Sequence, residues 1–523
     1  MVTVGCCDRA GVSHKSRSNL APRLLLLAIC VTGVCARLRV TGRSLQDGGD
    51  LGPASNLVHS MPHLTGKLGQ HYSGYVQLPG TTKRYFYWLA TSQSEPLSDP
   101  LAMWVNGGPA CSSMGGFADV NGPFTFRAVY NKASDLVPSS VNLSSNEYAW
   151  NRVANVLYVD SPCGTGYSYG SQASDYVYSD TSTVQDLQTF LGTWLGIYPA
   201  FSTSSLFLTG ESYAGIYVPL LAQSLLTANH ANGSTIFNLQ GYALGNPYTS
   251  QTFDNDYASI YQDLALIPSS FVTSLGASGC SPAITGTSEA CSGLEQQFAF
   301  LTSDVNPYDV LQPCFQSAAL YYQQLYGNIT NALLFNRTAI GPNYTTGYFA
   351  SADVPCVDDR ASTYYFNLPE VRSAIHAEPL QTAGMWLDCT NRVTYVKEIT
   401  STIQAHQYLL AQGLTGLIYS GDHDTVVPHT GTEAWIASLE LTAVSRWSPW
   451  YYPDTSMGSP QVGGFVTAYD NLVYATVKGA GHEVGQTKPQ QMYLLWSSFI
   501  KGPRSFSNST DYPLADLTRA FVQ

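Results

Sequence analysis

Apolar positions in this chain fall into two rhythms that alternate along it. Residues 101–105 and 154–159 are short, almost unbroken apolar runs, closed by Asn106-Gly107-Gly108 and Asp160-Ser161-Pro162. Runs of that kind predict strands buried on both faces of a parallel sheet. Residues 71–78 and 84–90 are aromatic and β-branched and are joined through Pro79, Gly80, Thr81 and Thr82, which predicts a hairpin. Between 180 and 194, Val184, Leu187, Phe190, Leu191 and Trp194 share one helical face, with Asp180, Thr181 and Ser182 as a capping cluster. A strand over 206–209 leads into a helix that runs to about Thr227. The rhythm fades between 247 and 395. It returns as a helix over 396–412, strands over 417–420 and 473–477, and a helix over 489–500. Strands alternating with helices predict an α/β fold: a mostly parallel central sheet with helices on both faces. Residues 66–246 and 396–523 form the core in this reading, and 247–395 an inserted cap.

The N-terminus adds a route. Arg9, Lys15, Arg17 and Arg23 precede an apolar run over 24–34, and Val34, Cys35 and Ala36 make a small-residue cleavage site. That order predicts a signal peptide over 1–36. Residues 37–65 are polar and rich in Gly, Ser and Asp, and read as a leader or propeptide. No apolar run reaches the roughly 18 residues of a membrane span. A net charge of -12 argues against nucleic acid and anionic membranes as partners.

Cysteine usage agrees with export. Past residue 36 the cysteines are Cys111, Cys163, Cys280, Cys291, Cys314, Cys356 and Cys389, with no CxxC pair, so a zinc site is disfavoured. An oxidising compartment predicts three disulfides and one leftover thiol. Asn142, Asn232, Asn328, Asn336, Asn343 and Asn508 each begin an N-x-S/T sequon. The expected location is the secretory pathway, ending outside the cell or in a vacuole or lysosome.

Candidate chemistry sits at strand ends. Gly210-Glu211-Ser212-Tyr213-Ala214-Gly215 lies between a strand and a helix, where a sharp turn lifts a serine hydroxyl above the sheet. A serine needs a base, and the base an orienting acid. Gly421-Asp422-His423-Asp424 follows one later strand and Gly479-Ala480-Gly481-His482-Glu483 another. The order serine, aspartate, histidine, each after a strand, is that of α/β-hydrolases. Gly107 and Gly108 would let backbone amides approach a ligand closely.

Seven blocks resemble the serine carboxypeptidases over about 72–500. They are Tyr72-Ser73-Gly74-Tyr75-Val76, the 104–113 block, the 161–169 block, Gly210 to Gly215, Leu244-Gly245-Asn246-Pro247, Ser420 to Asp424 and Gly479 to Val484. The resemblance implies an α/β-hydrolase that removes C-terminal residues from peptides at acid pH, roughly pH 4 to 6, through an acyl-enzyme and without metal or cofactor. Ser212 would be the nucleophile, His482 the base and Asp424, the second aspartate of its motif, the orienting acid. Gly108 and Tyr213 would supply oxyanion amides. Asn106 and Glu211 would hold the free C-terminal carboxylate of the substrate. Glu483 would border the leaving-group pocket and attract basic residues. The implied disulfides are Cys111–Cys389, Cys280–Cys291 and Cys314–Cys356, leaving Cys163 as a free thiol open to alkylation. Ala110, Val120 and Gly485 stand where the family carries glycine, glutamate and proline. Asp119 is the nearest carboxylate to replace the missing glutamate. An acyltransferase on the same fold, and an inactive binding protein, are the alternatives.

Overall fold

A computed structural model of the protein describes residues 51–315 and 356–501. The expected signal peptide and the sequons at Asn328, Asn336, Asn343 and Asn508 lie outside the described residues.

A ten-stranded sheet organises the chain. Its strands, in chain order, are β1 (His71–Gln77), β2 (Arg84–Ala90), β3 (Leu101–Val105), β4 (Asn155–Val159), β5 (Leu206–Glu211), β6 (Leu239–Gly245), β7 (Thr415–Gly421), β8 (Ser448–Tyr452), β9 (Gln461–Ala468) and β10 (Leu472–Val477). The spatial order is β1-β2-β4-β3-β5-β6-β7-β10-β9-β8. The six strands from β4 to β10 are parallel to their neighbours, and the two at each edge pair antiparallel. This mixed sheet with flanking helices is the α/β-hydrolase architecture. Every residue of β3, β4, β5, β7 and β10 is buried. Cover on both faces is why these strands read as continuous apolar runs instead of alternating ones.

Aromatic side chains fill much of the core. Trp150 and Trp496 stack with centroids 4.1 Å apart, which fastens the C-terminal helix Pro489–Lys501 to the turn before β4. Part of the expected polar leader joins this body: Val58 and Met61 are buried, and Leu64–Thr65 pairs with Leu143 and Ser144.

The chain between β6 and β7 divides. Residues 258–284 pack into a small cluster of their own around Ile260, Phe271 and Leu275. Tyr365, Phe366, Val371, Ile375 and Trp386 instead enter the main core. Disulfides join Cys111 to Cys389, Cys280 to Cys291 and Cys314 to Cys356. Cys163 carries a free thiol, but it is fully buried and burial pushes its pKa up, so it is not open to alkylation in the folded protein.

Three local readings need correction. The helix expected over 396–412 begins only at Ile403. Before it, Thr394–Val396 is a strand paired with Val177–Ser179. Asp180 does not cap its helix; Ser179 does, through the Ser182 amide. Asp180 is instead a buried acceptor for the backbone amides of Glu398 and Ile399 and the hydroxyls of Tyr213 and Tyr395. These bonds hold residues 395–399 extended. Strand β9 was also missed, because Gly463 and Gly464 dilute its β-pattern. A Cβ at Gly463 would stand 2.3 Å from the Trp450 ring, so glycine makes room for that side chain.

Candidate active site

Strand ends bring the expected residues together at one rim of the sheet. Ser212 follows β5 with φ of 60°, in the left-handed region that side chains other than glycine seldom occupy. The turn is pinned from both sides: the Ser212 amide donates to the Gly245 carbonyl at 3.0 Å, and its own carbonyl accepts from Tyr248 at 2.9 Å. Helix Ala214–Asn232 starts directly behind it. Small residues permit the bend. A Cβ on Gly210 would lie 2.4 Å from the Val105 carbonyl oxygen, and one on Gly215 would lie 2.4 Å from that of Tyr248.

His482 follows β10 and is 5% exposed. Its Nδ1 lies 2.6 Å from Asp424 Oδ2. Asp424 follows β7 and is fully enclosed. Its carboxylate also accepts from Asn246 Nδ2 at 2.8 Å and from the amides of Val426 and Val427 at 2.8 and 3.2 Å. Burial alone would lower the His482 pKa, but the charge and hydrogen bond of Asp424, with Glu483, hold it above its ordinary value. Asp422 does not compete for this role; it binds His423 Nδ1 at 2.6 Å and the Gly479 amide at 2.7 Å. No hydrogen bond joins Ser212 to His482 as they stand. Such contacts often tighten only when the acyl group arrives.

Ser212, His482, Asn106, Gly108, Glu211 and Glu483 all line one cleft of about 570 Å³. Among the described residues, the amides of Gly108 and Tyr213 donate to no protein acceptor, which leaves them available to an oxyanion. The Tyr213 ring is tied down through its hydroxyl to Asp180 at 2.9 Å. Asn106 accepts from the Trp104 indole N–H through Oδ1. The indole is only a donor, so the amide orientation is fixed and Nδ2 is the group left to donate.

Carboxyls crowd this cleft. Burial, then the charges of Asp388 and Asp424, raise Glu211 to about 8. Burial and the charge of Glu211 raise Glu483 to about 8. Asp388, beside the Cys111–Cys389 bridge, is likewise pushed well above its ordinary value by burial and by Glu483. Asp119 is not among the cleft-lining residues. Its carboxyl bonds Ser362, and burial raises it to about 7.

Two departures from the family pattern meet. A Cβ at Gly485 would stand 2.0 Å from the Val120 carbonyl oxygen, so a proline could not occupy 485 with the 116–120 turn in this position. Ala110 sits at φ of 71°, a conformation that costs it about 1–2 kcal/mol and would cost glycine nothing. Asn142 and Asn232 are exposed.

The sheet order, the strand-to-helix turn at Ser212 and the buried histidine–aspartate pair define an α/β-hydrolase. The serine carboxypeptidase family model matches residues 62–502, and the chain belongs to that family. Serine carboxypeptidase 1 of Hordeum vulgare is 33% identical over 478 residues, covering 86% of this chain and 94% of the relative. Serine carboxypeptidase-like 21 of Arabidopsis thaliana is 33% identical over 483 residues, covering 86% and 95%. The Saccharomyces cerevisiae prohormone-processing carboxypeptidase Kex1 has a similar fold, with a TM-score of 0.63 at 20% identity, covering 84% of this chain and 94% of that one.

Several site residues carried no assigned role in the sequence. Asn246, which orients Asp424, sits in Leu244-Gly245-Asn246-Pro247; its φ of 38° is one that asparagine tolerates better than most residues. Trp104 had no signal beyond its place before Asn106.

Gly107 offers a direct check. A Cβ there would stand 2.4 Å from the Tyr213 amide nitrogen and 2.8 Å from Ser212 Cβ. Gly107→Ala is expected to displace an oxyanion amide and lower the acylation rate per folded molecule about 10²–10³-fold, and, because the clash is with backbone, to lower the melting temperature as well. An acylation rate within a few-fold of the parent would place the oxyanion site elsewhere.

Proposed function

We propose that this protein is a serine-type carboxypeptidase that releases C-terminal residues from peptides through an acyl-enzyme. The observation that supports the reading is two groups suited to donate to a carboxylate, Asn106 and Glu211, in the same cleft as Ser212 and the bonded His482–Asp424 pair. Asn106 Nδ2 is oriented to donate, and Glu211, the residue before Ser212, keeps its proton to about 8. An ionised glutamate would repel a substrate carboxylate, whereas a protonated one donates a hydrogen bond to it.

His482 Nε2 takes the Ser212 proton as Oγ attacks the scissile carbonyl. The amides of Gly108 and Tyr213 stabilise the oxyanion, and His482 returns the proton to the leaving amine. Asp424 holds the imidazole and its charge. Water then repeats the sequence on the ester. No cofactor or metal enters these steps. Glu483 borders the leaving residue. It is neutral below about 8, so a lysine or arginine there would first have to draw off its proton. Acceptance of basic residues by Glu483 therefore grows with pH.

Acyl transfer to an alcohol is the second reading, because Val120 stands where the family glutamate would pair with Glu211. It uses the same Ser212 ester, and an assay with a blocked dipeptide separates the two by whether free amino acid is released. Passage through the secretory pathway is supported by the three disulfides and the exposed sequons. Among the described residues, no helix is long and apolar enough to cross a membrane.

Ser212→Ala is expected to abolish labelling by a fluorophosphonate and to remove more than about 99% of turnover. Labelling that persists in this variant would move the nucleophile to another residue.

The pH dependence follows from Glu211. Its protonated form binds the substrate carboxylate, so KM for a peptide acid is expected to rise as pH passes through about 8. His482 must be neutral to act, and its raised pKa cuts turnover as pH falls. Both shifts move the active window upward from the interval of roughly pH 4 to 6. Glu211→Gln donates at every pH and is expected to flatten the alkaline rise in KM, leaving ester substrates without a free carboxylate unchanged. An alkaline limb identical in both proteins would assign carboxylate recognition to another group.

A further inference from the structure

The insertion between β6 and β7 sends one strap, residues 306–312, along the catalytic loops, where Asn306, Tyr308, Asp309 and Gln312 line the cleft. Its bonds go to both. The Pro307 carbonyl accepts from the Thr425 amide at 2.9 Å and from Thr425 Oγ1 at 2.8 Å. The Tyr308 carbonyl accepts from the His482 amide at 2.6 Å, and the Val310 amide donates to the His423 carbonyl at 3.2 Å. The Tyr308 ring stands edge-on to the His482 imidazole, with centroids 5.2 Å apart. Thr425 follows Asp424 directly, so the strap is fastened one residue from the orienting acid and at the base itself.

A second part of the insertion reinforces this anchor. Tyr261, in helix Tyr257–Asp263, places its hydroxyl 3.0 Å from Thr425 Oγ1. The Thr425 hydroxyl is the donor in both contacts, shared between the Pro307 carbonyl and the Tyr261 hydroxyl. The strap's own shape is fixed by side chains: Asn306 Oδ1 accepts from the Tyr308 amide and Asp309 Oδ1 from the Leu311 amide, both at 3.0 Å. Its approach requires Gly481, where a Cβ would stand 2.4 Å from the Tyr308 carbonyl oxygen and 2.3 Å from Asp309 Cβ. The glycine before the catalytic histidine thus serves contact with the insertion as well as the turn.

We infer that the strap is a positioning element for the triad, holding the Asp424 and His482 loops in mutual register through Thr425 and the Tyr308 carbonyl. The sheet places these loops at adjacent strand ends, but a hydrogen bond between two loops also needs their tips fixed. Here the insertion supplies that fixation, so the segment that covers the cleft also sets the strength of the base. Thr425 and Tyr261 act through Asp424 and touch no substrate; neither lines the cleft.

The inference rests on Ser212, His482 and Asp424 acting as the triad, and the test separates the two. Thr425→Val keeps shape and backbone bonds but removes the hydroxyl. Tyr261→Phe removes the second anchor without altering Thr425. The readouts are the rate of Ser212 phosphonylation by a fluorophosphonate, and kcat and KM for a blocked dipeptide across pH, each per titrated active site. His482 faces Asp424, Glu483 and Tyr308, and the contact expected to loosen is the first. Thr425→Val is expected to slow phosphonylation and kcat about 10-fold, since a small misplacement of reacting groups has effects of that order or larger. KM is expected to stay within about two-fold and the acid limb to move to lower pH as His482 loses part of its support from Asp424. Thr425→Ser restores all three, and Tyr261→Phe gives a smaller change in the same direction. Parental kcat and acid limb in both Thr425→Val and Tyr261→Phe would overturn the inference while leaving the triad intact. A parent protein inert to the fluorophosphonate would instead overturn the triad. If Thr425→Val does not fold, Tyr261→Phe decides alone.

Discussion

A buried carboxylate must be fully satisfied or it unfolds its surroundings, and Asp424 is the group on which the rest of this site depends. It is enclosed within the protein yet bound by a histidine, an asparagine and two backbone amides. Removing one partner from such a group typically costs about 3–5 kcal/mol. Each donor comes from a different place: Asn246 from the end of β6, Val426 and Val427 from the loop after β7, and His482 from the loop after β10. Satisfying one charge therefore fixes three strand ends relative to one another. Gly421 permits that convergence, because a Cβ there would stand 2.0 Å from the Gly481 carbonyl oxygen.

Around this fixed point the chemistry divides into two halves with opposite electrostatic demands. The half proposed as the triad surrounds the Asp424 carboxylate with hydrogen-bond donors. The half proposed to read the carboxylate buries Glu211 and Glu483 near other carboxyls, which raises both to about 8. Carboxyls thus sit in two different settings around Ser212, one ringed by donors and the others buried near further carboxyls.

Much of the core was legible because burial on both faces leaves a continuous apolar run, as in β3, β4, β7 and β10. The Ser212 turn, the Asp424 loop and the His482 loop were legible because glycines and polar residues punctuate those runs. The hairpin at one edge, β1 and β2, was legible too, but β8 and β9 at the other edge were not. β8 and β9 carry Pro449, Gly463 and Gly464, which weaken the strand pattern, and the two glycines leave room for Trp450. The stretch at 396–399 was read as the start of a helix because its hold is tertiary: the Asp180 carboxylate binds it from a distant helix. The parts of the site supplied by the insertion were invisible for the same reason. Tyr308 reaches His482 through a backbone carbonyl, which any residue could provide.

The central claim is that this cleft reads a free C-terminal carboxylate and cuts the bond next to it. The most direct measurement pairs one peptide acid with its C-terminal amide and follows products by mass spectrometry. The account requires stepwise loss of single residues from the acid end and a kcat/KM for the amide at least tenfold lower. Cleavage at internal bonds, equal rates for acid and amide, or transfer of the acyl group to an added alcohol without release of amino acid would contradict it.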